Sequence, residues 1–206
     1  MSVTVKTRKL TLLGVLIAVQ VVLTLVNVGL LPLPIVNATT LHIPVIVGAV
    51  LLGPTEGMIL GASFGILSVI TNTMQPKLTS FVFSPFVTVG DQTGNLLSLV
   101  VAIVPRIMIG VTAYYTYKLV RKMDKTKIVA FAAAGVVGAL TNTILVMASI
   151  YLFFGEQYAA VNHIAVGALF TLIIGIIGTN GVPEAIIAGI IVPAICKPLS
   201  KIFKVK

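Results

Sequence analysis

From residue 164 to 196 the sequence stays apolar for longer than the roughly 20 helical residues that a bilayer core requires, yet it carries Gly-Thr-Asn-Gly-Val-Pro-Glu-Ala at 178–185, near its middle. This interruption constrains the fold more than any other stretch. Thr179, Asn180 and Glu184 would each cost on the order of several kcal/mol at membrane depth without partners, and Gly181 and Pro183 loosen the helical ladder beside them. The polar island must therefore face other protein or a ligand cavity. It acts either as glue between neighbouring helices or as part of a binding site.

Hydrophobic residues make up 58% of the chain and charged residues 9%, against about 25% charged in soluble domains, which points to an integral membrane protein. Apolar stretches of roughly 15 to 30 residues, broken by Pro, Gly, Asn and Asp, predict helices rather than barrel strands of about ten alternating residues. The net charge of +9 is concentrated in three clusters: Lys6, Arg8 and Lys9; Lys118, Arg121, Lys122, Lys125 and Lys127; Lys197, Lys201, Lys204 and Lys206. The positive-inside rule puts all three in the cytoplasm, with four crossings between the first two clusters and two more before the last. The expected fold is an all-α integral membrane protein, residues 1–206 forming a single domain of six transmembrane helices with both termini cytoplasmic. The basic ends suit anionic lipid headgroups, so membrane lipid is an expected partner and nucleic acid is not. No cleavable signal peptide is expected, because the apolar stretch after Lys9 is full-length and lacks a small-x-small exit. The single Cys196 can form no internal disulfide and reads as a small hydrophobe.

The first helix is predicted over 10–28, with Gly14 and Ala18 stacked on one smooth face that lets another helix approach closely. A loop over 29–40, with Pro32, Pro34 and Asn37, should lie outside. Two short helices, 41–52 and 56–71, follow around Gly53-Pro54-Thr55, the second bearing a packing strip at Gly57, Gly61 and Gly65. Residues 72–95 form an external segment with Asn72, Lys77, Asp91, Gln92 and Asn95 among Phe81, Phe83 and Phe86, which serves as a lid or as an interfacial anchor. The helix at 96–119 places Arg106 after Pro105 at its midpoint, where an arginine costs ~2.5 to 3.5 kcal/mol and needs a partner; Glu184 or a ligand carboxylate meets that need. The helix at 128–154 carries Thr141-Asn142-Thr143 at its own midpoint, matching Thr179-Asn180 in depth. The candidate substrate-binding residues are Asn72, Phe83, Asp91, Asn95, Arg106, Asn142, Asn180 and Glu184.

Enzymatic chemistry is poorly represented. The sequence has no His-Glu-x-x-His, no Gly-x-Ser-x-Gly and no Gly-x-x-x-x-Gly-Lys, and its two histidines, His42 and His163, fall near the outer boundary. Asp91 and Asp124 belong to loops on opposite sides, which removes a paired-aspartate protease. No catalytic residue, metal site or cofactor is expected in this chain, nor an ATPase site. The two function classes that remain are a solute-binding transport subunit and an intramembrane enzyme. A purely structural subunit would not need Arg106, Asn142, Asn180 and Glu184 together, and short helices with a lid and a midplane polar cluster favour transport.

Several motifs then act together: Thr40-Leu41-His42-Ile43-Pro44, Ser80-Phe81-Val82-Phe83-Ser84-Pro85-Phe86, Pro105-Arg106-Ile107, Gly138-Ala139-Leu140-Thr141-Asn142-Thr143 and Asn180-Gly181-Val182-Pro183-Glu184-Ala185. Over nearly the whole chain this set resembles the substrate-binding S components of energy-coupling factor (ECF) vitamin transporters. The resemblance implies a multi-pass protein of the prokaryotic plasma membrane with a high-affinity vitamin site opening outward. It also implies partners, one transmembrane coupling subunit and two ATPase subunits that use ATP. Gly14 and Ala18 resemble the family's Ala-x-x-x-Ala docking face, with Gly replacing the first Ala. The Thr-Asn-Thr and Asn-Gly-x-Pro-Glu-Ala signatures are most similar to the pantothenate branch, with pyridoxine-type and hydroxymethylpyrimidine carriers as the alternatives. Pantothenate offers a carboxylate, hydroxyls and an amide to Arg106 and the Asn side chains, whereas the chain has no Trp to stack on a planar vitamin.

Overall fold

The computed structural model describes residues 3–26, 30–33, 36–124 and 126–203. Pro34, Lys125, Lys204 and Lys206, singled out above, lie outside the described residues, as does the predicted end of the first helix at 28. The helices are α1 (Val3–Leu25), α2 (His42–Leu52), α3 (Pro54–Met74), α4 (Leu96–Val120), α5 (Ile128–Val161), α6 (Leu169–Ile176) and α7 (Val182–Phe203). A π-turn, Ile177–Gly181, joins α6 to α7. Among the described residues, five helical stretches are long and apolar enough to cross a membrane: Lys6–Leu25, Pro54–Met74, Leu96–Val120, Ile128–Val161 and Val166–Lys201.

The exception, α2, has 11 residues, so it extends about 16 Å and covers roughly half a hydrocarbon core. Every residue of α2 is buried. Its apolar composition on all sides suits a helix enclosed by others. Val45, Ile46 and Leu51 pack with Phe64 of α3, Ile109 of α4, Phe131 of α5 and Val192 of α7 in the main core. A second core joins Phe81 and Val82 to Val101, Phe154, Leu169 and Ile173, with the Phe81 ring edge-on to Phe154 at 6.0 Å.

The α3 and α4 backbones touch along the predicted glycine strip. A Cβ added to Gly61 would lie 2.2 Å from the Arg106 carbonyl oxygen, and one added to Gly110 would lie 2.4 Å from the Gly57 carbonyl carbon. On α1, Lys9 Nζ donates to the Leu52 carbonyl at 2.7 Å and pairs with Glu56 at 3.2 Å, which ties the basic end of α1 to the α2–α3 turn. Gln20, fully buried, donates to the Leu60 carbonyl at 3.2 Å and accepts from the Ser63 hydroxyl. The opposite face stays open: Ala18 is exposed, and nothing lies within 4 Å of a Cβ added to Gly14.

Two hairpins modify the all-α expectation. Strands β1 (Leu30–Leu33) and β2 (Val36–Thr39) pair antiparallel within the predicted 29–40 loop, so its backbone groups satisfy one another. Residues 72–95 are likewise structured. Helix α3 runs on to Met74 and takes Asn72 into the helix; a 3-10 turn at Ser80–Val82 and a hairpin of β3 (Thr88–Val89) with β4 (Gln92–Thr93) follow. Gly90, at φ +58°, supplies the left-handed residue that so tight a turn requires, with Asp91 beside it. Helix α5 continues past the expected 154 to Val161, across a kink where Phe154 adopts φ −133°. The final helical run enters through a 3-10 turn at Val166–Ala168 and reaches Phe203.

Candidate substrate-binding site

Pro105 has no N–H, so within α4 the carbonyl of Val101, four residues earlier, loses its helical donor. Arg106 Nη1 takes that role at 2.7 Å. Arg106 is only 7% exposed, and the rings of Phe64 and Phe83 lie against its guanidinium with centroids at 5.4 and 5.3 Å. Such cation–π contacts are worth about 0.5 to 2 kcal/mol each and offset part of the burial cost. The charge of Glu184, itself 5% exposed, also acts on Arg106, and a Glu184 oxygen accepts from the Thr143 hydroxyl at 3.4 Å. Arg106 Nε and Asn142 Oδ1 are buried without a hydrogen-bond partner among the described residues.

A second proline shapes the facing wall. Pro183 cannot donate to the turn before it, and the backbone there widens into the π-turn at Ile177–Gly181 that carries Asn180. The small Gly181 lets this turn sit against α5, since an added Cβ would be 3.1 Å from Thr143 Cγ2. Arg106, Asn142, Thr143, Asn180 and Glu184 thereby line one cavity of about 300 Å³, which draws its walls from both apolar cores.

Asn72 and Phe83 line the same cavity, so the structure brings together Asn72, Phe83, Arg106, Asn142, Asn180 and Glu184 of the sequence-predicted set. It does not bring in Asp91 or Asn95. Asp91 is exposed at the tip of the β3–β4 hairpin. Asn95 caps α4: its side chain accepts from the Leu97 N–H at 2.8 Å, while the Ser98 hydroxyl accepts from the Asn95 N–H at 3.1 Å. The Asn95 side chain thus answers a local backbone need. Asn72 is also committed to protein, donating to the Ser68 carbonyl at 2.8 Å and accepting from the Ser80 hydroxyl at 2.7 Å. That bond fastens the α3–α4 connector, which the Thr73–Ser84 contact at 2.7 Å and the Ser98 bond to the Phe81 carbonyl at 2.7 Å hold further. Phe83 owes its place against Arg106 to this network.

The cavity also takes lining from residues outside the sequence-predicted set, including Phe64, Ser68, Thr71, Gln75 and Lys77. Residues 64, 68, 71, 72 and 75 recur at helical spacing, so a helix drawn to Met74 rather than to 71 would have shown one polar face. Lys77, Arg106 and Glu184 are the charged members of the lining, and they leave it one positive charge in excess. Among the described residues no group of three His, Cys, Asp or Glu side chains is placed to hold a metal ion.

A cavity that sets a few charged, amide and hydroxyl side chains among apolar ones fits a solute carrier, and comparison with known proteins defines which kind. The family model for the ECF transporter substrate-specific component matches residues 8–196. The chain belongs to this family. The S component is also 37% identical over 200 residues to the pantothenic acid transporter PanT of Lactococcus lactis subsp. cremoris (strain MG1363), an alignment covering 95% of each protein. Its relatives are transporter components rather than enzymes, and it is a multi-pass protein of the plasma membrane.

Proposed function

We propose that this S component binds pantothenate for uptake and delivers it across the membrane with an ECF module of one transmembrane coupling subunit and two ATPase subunits. The chemistry rests on one observation: a cavity of about 300 Å³ with a surplus positive charge and several amide and hydroxyl side chains, in a chain 37% identical to PanT. Arg106, Asn142, Asn180 and Glu184 supply the polar floor, while Asn72 holds the connector that sets Phe83 over it. ATP is consumed by the partner subunits, and this chain carries no cofactor. Isothermal titration should show pantothenate binding to the purified protein; if pyridoxine or hydroxymethylpyrimidine displaces it at far lower concentration, the pantothenate assignment is lost.

The proposed topology has six crossings and cytoplasmic termini, with α2 as the short second crossing. The contact of Lys9 with Leu52 and Glu56 supports it, because it puts the α2–α3 turn on the same side as the first basic cluster. A cysteine at Asp91 should then be labelled by an impermeant reagent in intact cells and one at Lys122 should not; the reverse pattern refutes the arrangement. Docking to the coupling subunit is assigned to the open Gly14/Ala18 face of α1. Gly14→Val or Ala18→Val should reduce transport and co-purification with that subunit while leaving the calorimetric binding curve unchanged. Lost binding with intact assembly would place the defect elsewhere.

A further inference from the structure

The proposed substrate is a monoanion, and where its charge goes is a separate question from which vitamin binds. Of the cavity's two cations, Arg106 gives Nη1 to the Val101 carbonyl, is covered by two aromatic faces and feels the charge of Glu184, which leaves Nε, buried beneath the lining, as a donor unpartnered among the described residues. A ligand carboxylate placed there would add a second buried negative charge to a low-dielectric site where the charge of Glu184 already acts on Arg106. Lys77 is different. It lines the cavity from the connector after α3, is exposed, and among the described residues forms no ion pair. Its backbone is nonetheless fixed, because its N–H donates to the fully buried Ser80 hydroxyl at 2.8 Å and its carbonyl accepts from the Ser80 N–H at 3.0 Å. Ser80 is in turn held by Asn72 at 2.7 Å. The surplus positive charge of the lining is therefore that of Lys77, held at the exposed rim, where a carboxylate keeps part of its hydration.

Building on the pantothenate reading, we infer that Lys77 is the residue that selects an anionic substrate, binding the carboxylate at the cavity rim while the Arg106–Glu184 floor takes the hydroxyl and amide end. Discrimination between pantothenate and its uncharged alcohol analogue pantothenol then comes from Lys77. Titration of both compounds into the purified protein tests this. The unaltered protein should prefer pantothenate by about tenfold, the scale of one hydrogen bond to a charged group. Lys77→Gln should lower pantothenate affinity to that of pantothenol and leave pantothenol unchanged, so the analogue doubles as the control for folding. Lys77→Arg should restore the preference. A Lys77→Gln protein that still discriminates overturns the assignment, as does one that loses both ligands equally, which would mark a structural role in the connector. Absence of pantothenate binding to the unaltered protein would instead defeat the substrate reading itself.

Discussion

Arg106→Gln is expected to destabilise the protein by about 1–3 kcal/mol, because it removes a buried guanidinium whose charge acts on Glu184 and whose faces two aromatic rings cover. Both residues are less than a tenth exposed. The same change strands the Val101 carbonyl, whose partner in a Pro105-interrupted helix is Arg106 Nη1 at 2.7 Å. Glu184→Gln should cost less, since Arg106 keeps that bond and the two aromatic faces, and the Thr143 hydroxyl retains an amide oxygen to donate to. The double variant Arg106→Gln/Glu184→Gln should be more stable than the sum of the single losses predicts, with a coupling of about 0.5 kcal/mol or more for side chains whose charges act on each other. Thermal unfolding of the four proteins in one detergent measures the cycle. Additive losses would show that Glu184 does not stabilise Arg106 and that each is held by other groups. The double variant should also bind pantothenate poorly, as the floor loses its charged donor and acceptor together.

Much of this arrangement was legible in the residues. Hydropathy marked the long helices because a backbone in lipid must satisfy itself, and the polar groups at Arg106, Asn142 and Asn180 stood out against apolar neighbours for the same reason. The glycine strip on α3 was legible because a spacing of four sets the three residues on one smooth face suited to close helix packing. What the sequence left unplaced was local. Asn95 looked like a ligand contact, but an Asn followed three residues later by Ser at the start of an apolar run is a helix cap, a signal that was present and outweighed by composition. Asp91 follows a glycine in a two-residue turn, and its polarity reflects exposure. Lys77 could not be ranked from the sequence. Its relevance depends on Asn72 and Ser80 folding the connector back over the cavity, a tertiary contact with no periodicity to announce it.

The glycine strip carries the other large effect. Gly61→Ala is expected to impair both stability and pantothenate binding, because the new Cβ would fall 2.2 Å from the Arg106 carbonyl oxygen, 2.7 Å from its carbon and 2.8 Å from Ile107 Cα. All three are backbone atoms, so no side-chain rotation relieves the contact and α3 must move away from α4. Overpacking of this kind costs typically about 1–3 kcal/mol, enough to outweigh the roughly 1 kcal/mol that alanine gains over glycine in a helix. The movement also separates Phe64 on α3 from Arg106 on α4, two residues whose contact at 5.4 Å builds the cavity floor. Gly14→Ala is the matched control: it makes the same change within a helix, with nothing within 4 Å of the added carbon. It should leave the isolated S component as stable as before or slightly more so, with unchanged binding. Thermal unfolding and titration calorimetry on the pair separate backbone contact from helix propensity. Equal melting and equal affinity for the two variants would mean that α3 and α4 are not in backbone contact at Gly61, and the geometry that places Phe64 on Arg106 would fall with it.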